Sequence, residues 1–114
     1  MEVRETEAVV RFAPETGTVS FHGALRLANV RAYDNVVKLM HEAAAQVKGP
    51  LVLDFKELKF LNSSGITAIS LFVVGARKAG APQLRLVGAK TTAWQQKSLA
   101  NFQMLWKDMA VVIE

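Results

Sequence analysis

The chain has 114 residues, no cysteine, and a net charge of +4 from 14 Lys and Arg against 10 Asp and Glu. Its length argues for one domain, its 51% apolar content for a real core, and its lack of cysteine excludes disulfides, thiolate zinc sites and cysteine nucleophiles. The basic residues come one or two at a time, with Lys56/Lys59 and Arg77/Lys78 the only tight groups, so the excess charge reads as solvation and no nucleic-acid partner is expected.

In chain order, Glu7 to Ala13 (EAVVRFA) reads as a strand and Pro14 to Gly17 (PETG) as a turn. Thr18 to Gly23 (TVSFHG) alternates Val19 and Phe21 with Ser20 and His22, the period of a half-buried strand that forms a hairpin with the first. A helix is predicted over Ala32 to Lys48, where Val36, Met40, Ala43 and Val47 recur at helical spacing and Gly49-Pro50 ends the pattern. Leu51 to Phe55 (LVLDF) reads as an interior strand, with KELKFLNSS as the connection out of it. A second helix is predicted over Ser64 to Ala79, a strand over Gln83 to Gly88, a third helix over Thr91 to Met104, and a last strand over Met109 to Glu114. The order β-β-α-β-α-β-α-β predicts an α/β fold with a mixed sheet of about five strands, its crossovers parallel and its hairpin antiparallel.

The N-terminal stretch MEVRETEAVV has no basic start followed by an apolar run, so no signal peptide is expected. Phe60 to Ala76 is apolar but broken by Asn62, Ser63, Ser64, Thr67 and Ser70, and falls short of the roughly 20 apolar residues of a bilayer span. A cytoplasmic location without membrane insertion is the expectation.

Most of the chemistry gathers at KFLNSSGIT, Lys59 to Thr67. A serine on a strand-to-helix turn suggests a hydrolase elbow, but the glycine two positions before it is absent and both histidines, His22 and His41, precede it. No phosphate-binding loop or metal-ligand spacing stands out, and no cofactor is implied. Asn62, Ser63 and Ser64 can each cap a helix, yet one cap needs one residue. The position also suits an anion, because the first N–H groups of a helix are unpaired and the macrodipole is positive there. In the helix that follows, Ile66, Ile69, Phe72, Val73 and Ala76 form the face expected to meet the sheet. Thr67, Leu71, Val74 and Lys78 form a second stripe, apolar where an exposed face is ordinarily polar. That stripe is either covered by the third helix or used for binding. Trp94 and Trp106 read first as core, with Trp106 also placed for interface use.

Three stretches carry a resemblance: TVSFHGALRLANVRAYDNVVKLM, LVLDFKELKFLNSSGITAI and LRLVGAKTTAWQQKSLANFQM. In that order they resemble segments of STAS domains, the family of anti-sigma factor antagonists, over nearly the whole chain. The second resembles the family's hallmark, an apolar strand ending in Asp, a short connection, then Asp-Ser-[Ser/Thr]-Gly and an apolar residue. The resemblance implies a STAS fold and a non-enzymatic partner-switching regulator. Its partners would be a GHKL-type serine kinase that doubles as an anti-sigma factor and a PP2C-type phosphatase; a homo-oligomer is left open. By position, Ser63 is the implied phosphoacceptor with Ser64 second, Asp54 the strand-end acid, and Gly65 the glycine that lets a partner approach the helix start. The partner-binding surface expected from the helix stripe is Ile66, Thr67, Leu71 and Val74, beside Ser63. Asn62 stands where the family usually has Asp, which removes a charge beside the acceptor. Some STAS domains act as constitutive scaffolds or assembly subunits without a phosphoswitch, and that alternative stands beside the first.

Overall fold

The structure, a computed structural model, describes residues 1–114. Its elements are β1 (Glu2–Arg4), β2 (Ala8–Ala13), β3 (Thr18–Leu25), a 3-10 turn (Val30–Tyr33), α1 (Asp34–Gln46), β4 (Leu51–Leu61), α2 (Ser63–Ala79), β5 (Leu84–Gly88), α3 (Ala93–Leu105) and β6 (Ala110–Ile113). The six strands lie side by side in chain order, with β2 antiparallel to both β1 and β3, and β3 to β6 parallel. The predicted α/β class and mixed sheet hold, with one strand more than expected.

The sequential order decides where the helices go. Each parallel pair is joined by a right-handed crossover, and successive crossovers in one direction put every helix on the same face. Val36 and Met40 of α1, Ile69 and Phe72 of α2, and Leu99 and Phe102 of α3 therefore share one buried cluster with Phe21, Leu53 and Leu86 of the sheet. Phe55 lies at its centre, stacked on Phe21 at 4.6 Å between ring centroids and edge-on to Trp94 at 6.2 Å. The opposite sheet face carries Arg11, Ser20, His22, Asp54 and Arg85, and no helix covers it.

One strand was not predicted, and one predicted boundary needs correction. The added strand β1 is too short to show a period, and it forms by pairing Glu2 to Arg4 against Val9 to Arg11, with Arg11 Nε donating to Glu2 at 2.7 Å. The stretch predicted as a connection after Phe55 is strand as far as Leu61. Ser20 and His22 of β3 face Asp54 and Glu57, and Gly23 and Ala24 face Leu58 and Phe60, so β4 holds an extra residue at each of two bulges. The bulges space the buried side chains as Phe55, Leu58 and Leu61, three apart, which hides the strand from any test for alternation. α2 ends at Gly80, whose φ of +79° closes the helix with N–H bonds to the carbonyls of Ala76 and Arg77. No helix is long and apolar enough to cross a membrane.

Candidate functional site

The site begins where β4 turns into α2. Asn62 has an extended backbone, φ −77° and ψ 173°, and its Oδ1 accepts the Gly65 N–H at 3.0 Å. That is a helix N-cap, so Asn62 alone does the capping. The same Oδ1 accepts the Tyr33 hydroxyl at 2.6 Å, and Nδ2 donates to the Leu27 carbonyl at 2.8 Å. The Leu27 N–H in turn donates to Tyr33 Oη at 3.3 Å. One side chain thus joins the exit of β3, the 3-10 turn and the start of α2. An amide can do this and an ionised carboxylate cannot, because the Leu27 carbonyl needs a donor and the other two contacts need an acceptor. An Asn at position 62, and not an ionised Asp, therefore has a structural reason in this chain. Burial pushes the Tyr33 phenol above the ordinary tyrosine range, against the lowering effect of the Leu27 N–H.

Gly65 is buried beneath this knot. A Cβ there would run into Leu61 Cδ1 and come within 2.8 Å of Tyr33 Oη. The resemblance implied room for a partner at this glycine; the structure shows that the room is taken by the protein's own Tyr33 and Leu61.

Ser63 and Ser64 are the first two helical residues rather than caps. Ser63 is exposed and Ser64 half-buried. Thr67 Oγ1 donates to the Ser63 carbonyl at 3.1 Å, and no acidic residue lies in the first turn of α2. The exposed Ser63 hydroxyl thus stands at a helix end whose field favours negative charge. Neither histidine adjoins it. His22 faces Ser20 Oγ at 3.3 Å on the open sheet face, and the His41 ring packs edge-on against Phe72.

The rest of the predicted set divides. Ile66 is half-buried against the core, Thr67 is exposed, Val74 is half-buried, and Leu71 is 62% exposed. α3 packs beside α2 without covering Leu71, so the binding alternative for this stripe stands. Asp54 does not belong to the site. It lies seven residues before Leu61 in β4, on the order of 20 Å away along the strand. There Asp54 Oδ1 accepts the Lys56 N–H at 3.0 Å, and the Lys56 ammonium sits 3.8 Å from Asp54 and 3.4 Å from Glu114. Asp54 first, then Glu114, raise the Lys56 pKa above the usual lysine value.

Two residues behind the site were missed as more than helix or core positions. β5 pairs with β4 only over Leu51 to Asp54, so carbonyls of the bulged half of β4 face α3. Gln95, fully buried, donates from Nε2 to the carbonyls of Phe55 at 2.6 Å and Leu58 at 3.0 Å, while its Oε1 accepts the Ala89 N–H at 2.6 Å. Trp94 Nε1 adds a bond to the Leu58 carbonyl at 2.9 Å. The signal was a glutamine at a position helical spacing places with Leu99 and Phe102, on the apolar side.

No protein-family model matches the chain, and no curated protein matches it. Three solved structures share its fold. One is a chain of the crystal structure of the diguanylate cyclase SiaD in complex with its activator SiaC from Pseudomonas aeruginosa, at TM-score 0.68 and 20% identity over 100% of this chain and 99% of that one. The others are SiaC of the same organism, at TM-score 0.63 and 20% identity over 99% and 93% of the two chains, and apo-SiaC, at TM-score 0.65 and 18% identity over 100% and 97%. Identities this low establish the fold, which is consistent with that of anti-sigma factor antagonists. They also correct the expected partners. The relative seen with a partner is bound to a diguanylate cyclase, not to a GHKL-type kinase or a PP2C-type phosphatase. One fold can serve different partners, because recognition resides in particular side chains and not in the fold.

Proposed function

We propose that this chain is a non-enzymatic binding regulator of the STAS type that controls a signalling enzyme by docking on it. A diguanylate cyclase is the partner class favoured by the SiaC–SiaD likeness. The docking surface is the first turn of α2 with the stripe Ile66, Thr67, Leu71 and Val74, and phosphate on Ser63 releases the partner. The observation that carries this reading is an exposed hydroxyl at a helix N-terminus with a 62%-exposed leucine about two turns further along the same helix. Phosphate adds nearly two negative charges where backbone N–H groups accommodate them and a docked protein does not.

The test is titration of wild type, Ser63→Ala and Ser63→Asp against the diguanylate cyclases of the native cell. Ser63→Asp should bind at least about tenfold more weakly, from like-charge and desolvation costs. Equal binding by all three variants removes the switch.

A second reading, a constitutive assembly subunit without a switch, is favoured by Asn62. It leaves no carboxylate beside the hydroxyl and carries the cap by itself. Intact mass of the protein from its native cells separates the two: an absence of phosphate under every growth condition supports the subunit.

A further inference from the structure

The net charge has an address. No Asp or Glu occurs from Asn62 to Lys107, while Arg77, Lys78, Arg85, Lys90, Lys97 and Lys107 all fall there. All ten acidic residues lie outside this stretch, where the remaining basic residues offset most of their charge. The stretch spans α2, β5 and α3, and the two helices lie side by side, with Arg77 Nη1 donating to the Leu105 carbonyl at 3.1 Å. Leu71 on α2, at 62%, and Met104 on α3, at 78%, are the two most exposed large apolar side chains of the protein. Lys78 follows Leu71 at i+7 on α2, and Lys97 precedes Met104 at i−7 on α3, so each apolar residue shares its helix face with a lysine.

From this we infer that the α2–α3 face docks an acidic amphipathic protein segment, with apolar anchors on Leu71 and Met104 and carboxylates against Lys78, Lys97 and Lys107. The inference rests on the reading above that the α2 stripe binds a partner protein, and it names that partner's chemistry. An apolar centre with a charged rim is the anatomy of a protein interface, and the charge sets association rate and choice of partner. Nucleic acid fits the face less well. The indole N–H of Trp94 is held by Leu58 and Trp106 is half-buried, so the face has no aromatic platform for bases. The same charge explains the direction of the proposed switch: phosphate on Ser63 subtracts from the positive field that attracts the acidic segment.

The probe is a fluorescein-labelled amphipathic helix of about four turns, Leu on one face and Glu on the other, beside a twin with Lys in place of Glu. Oligo(dT) and phosphatidylglycerol vesicles are titrated in parallel, and amide shifts of the 15N-labelled full chain locate the bound peptide. The Glu peptide should saturate with shifts on α2 and α3 and lose about tenfold in affinity between about 20 and 300 mM salt. Leu71→Ser with Met104→Ser should weaken it about fivefold or more, Lys78→Glu with Lys97→Glu about tenfold or more, and the Lys twin should not bind. The inference is overturned by no saturation at about 1 mM, by equal binding of the Lys twin, by shifts confined to other surfaces, or by tighter binding of oligo(dT) or vesicles. Ser63→Asp separates the two proposals. Equal peptide binding to wild type and Ser63→Asp keeps the docking face and removes the switch. A cyclase that senses Ser63→Asp beside a Glu peptide that binds neither form keeps the switch and removes the acidic partner.

Discussion

Asn62→Asp tests the knot at the start of α2, because it changes only an amide into a carboxyl. Two of three contacts survive, the Gly65 N–H at 3.0 Å and the Tyr33 hydroxyl at 2.6 Å, and both favour a carboxylate. A charged cap at a helix N-terminus contributes about 0.3–1 kcal/mol. The third contact reverses. The Leu27 carbonyl loses its donor at 2.8 Å and meets an anionic oxygen, an unpaired acceptor in a half-buried place. Losing that bond costs about 1–3 kcal/mol. The loss exceeds the gain, so the variant should be destabilised by about 1–2 kcal/mol at pH 7, a fall of roughly 5–10 °C in Tm for a domain of this size. Protonation restores a donor, since the hydroxyl of the neutral carboxylic acid can face the Leu27 carbonyl. The folded state therefore raises the pKa of the new carboxyl. A raised carboxyl leaves its full stability only below its unfolded value of about 3.9 and loses it as pH rises through the folded value. Urea unfolding of both proteins at pH 7 and near pH 4 measures this. The gap should narrow at the lower pH. A variant as stable as wild type at pH 7 would refute the reasoning, because it would mean that the Leu27 carbonyl does not depend on the amide.

Four further outcomes follow from the same geometry. Gly65→Ala should destabilise by about 1–3 kcal/mol despite its better helix propensity, because the new methyl meets Leu61 and Tyr33. Gly75→Ala, on the same helix with open space at its Cβ, should stabilise by about 0.5–1 kcal/mol; chemical denaturation of the pair separates sterics from propensity. Gln95→Leu should cost about 2–4 kcal/mol by leaving the Phe55 carbonyl and Ala89 N–H without partners, and thermal unfolding reads it directly. Tyr33 is the only tyrosine, so phenolate absorbance reports it alone. Its midpoint should lie above about 10, and since burial raises the folded value, the stability it contributes is complete below that pH and lost as pH rises through the folded midpoint. A midpoint at or below about 10 contradicts its burial.

Local pattern made much of this protein legible. Helical spacing located α1 through Val36, Met40 and Ala43, and it located the buried face of α2 through Ile69, Phe72, Val73 and Ala76. The surplus of capping residues at Asn62 to Ser64 marked the site. Those signals are carried by neighbours within one or two turns, so a sequence displays them directly. Contacts between segments far apart in the chain decided the rest. The bulges of β4 exist only against β3, so Lys56 to Leu61 looked like a loop and Asp54 looked adjacent to the site. Asn62 looked like a weakened Asp until Leu27 and Tyr33 were seen around it, and Gly65 looked like space for a partner until Tyr33 was seen filling it. What a residue can do is written in its side chain. Which of those capacities it uses depends on the donors, acceptors and volumes that the fold brings to it, and here those come from residues 29 to 40 positions away in the chain.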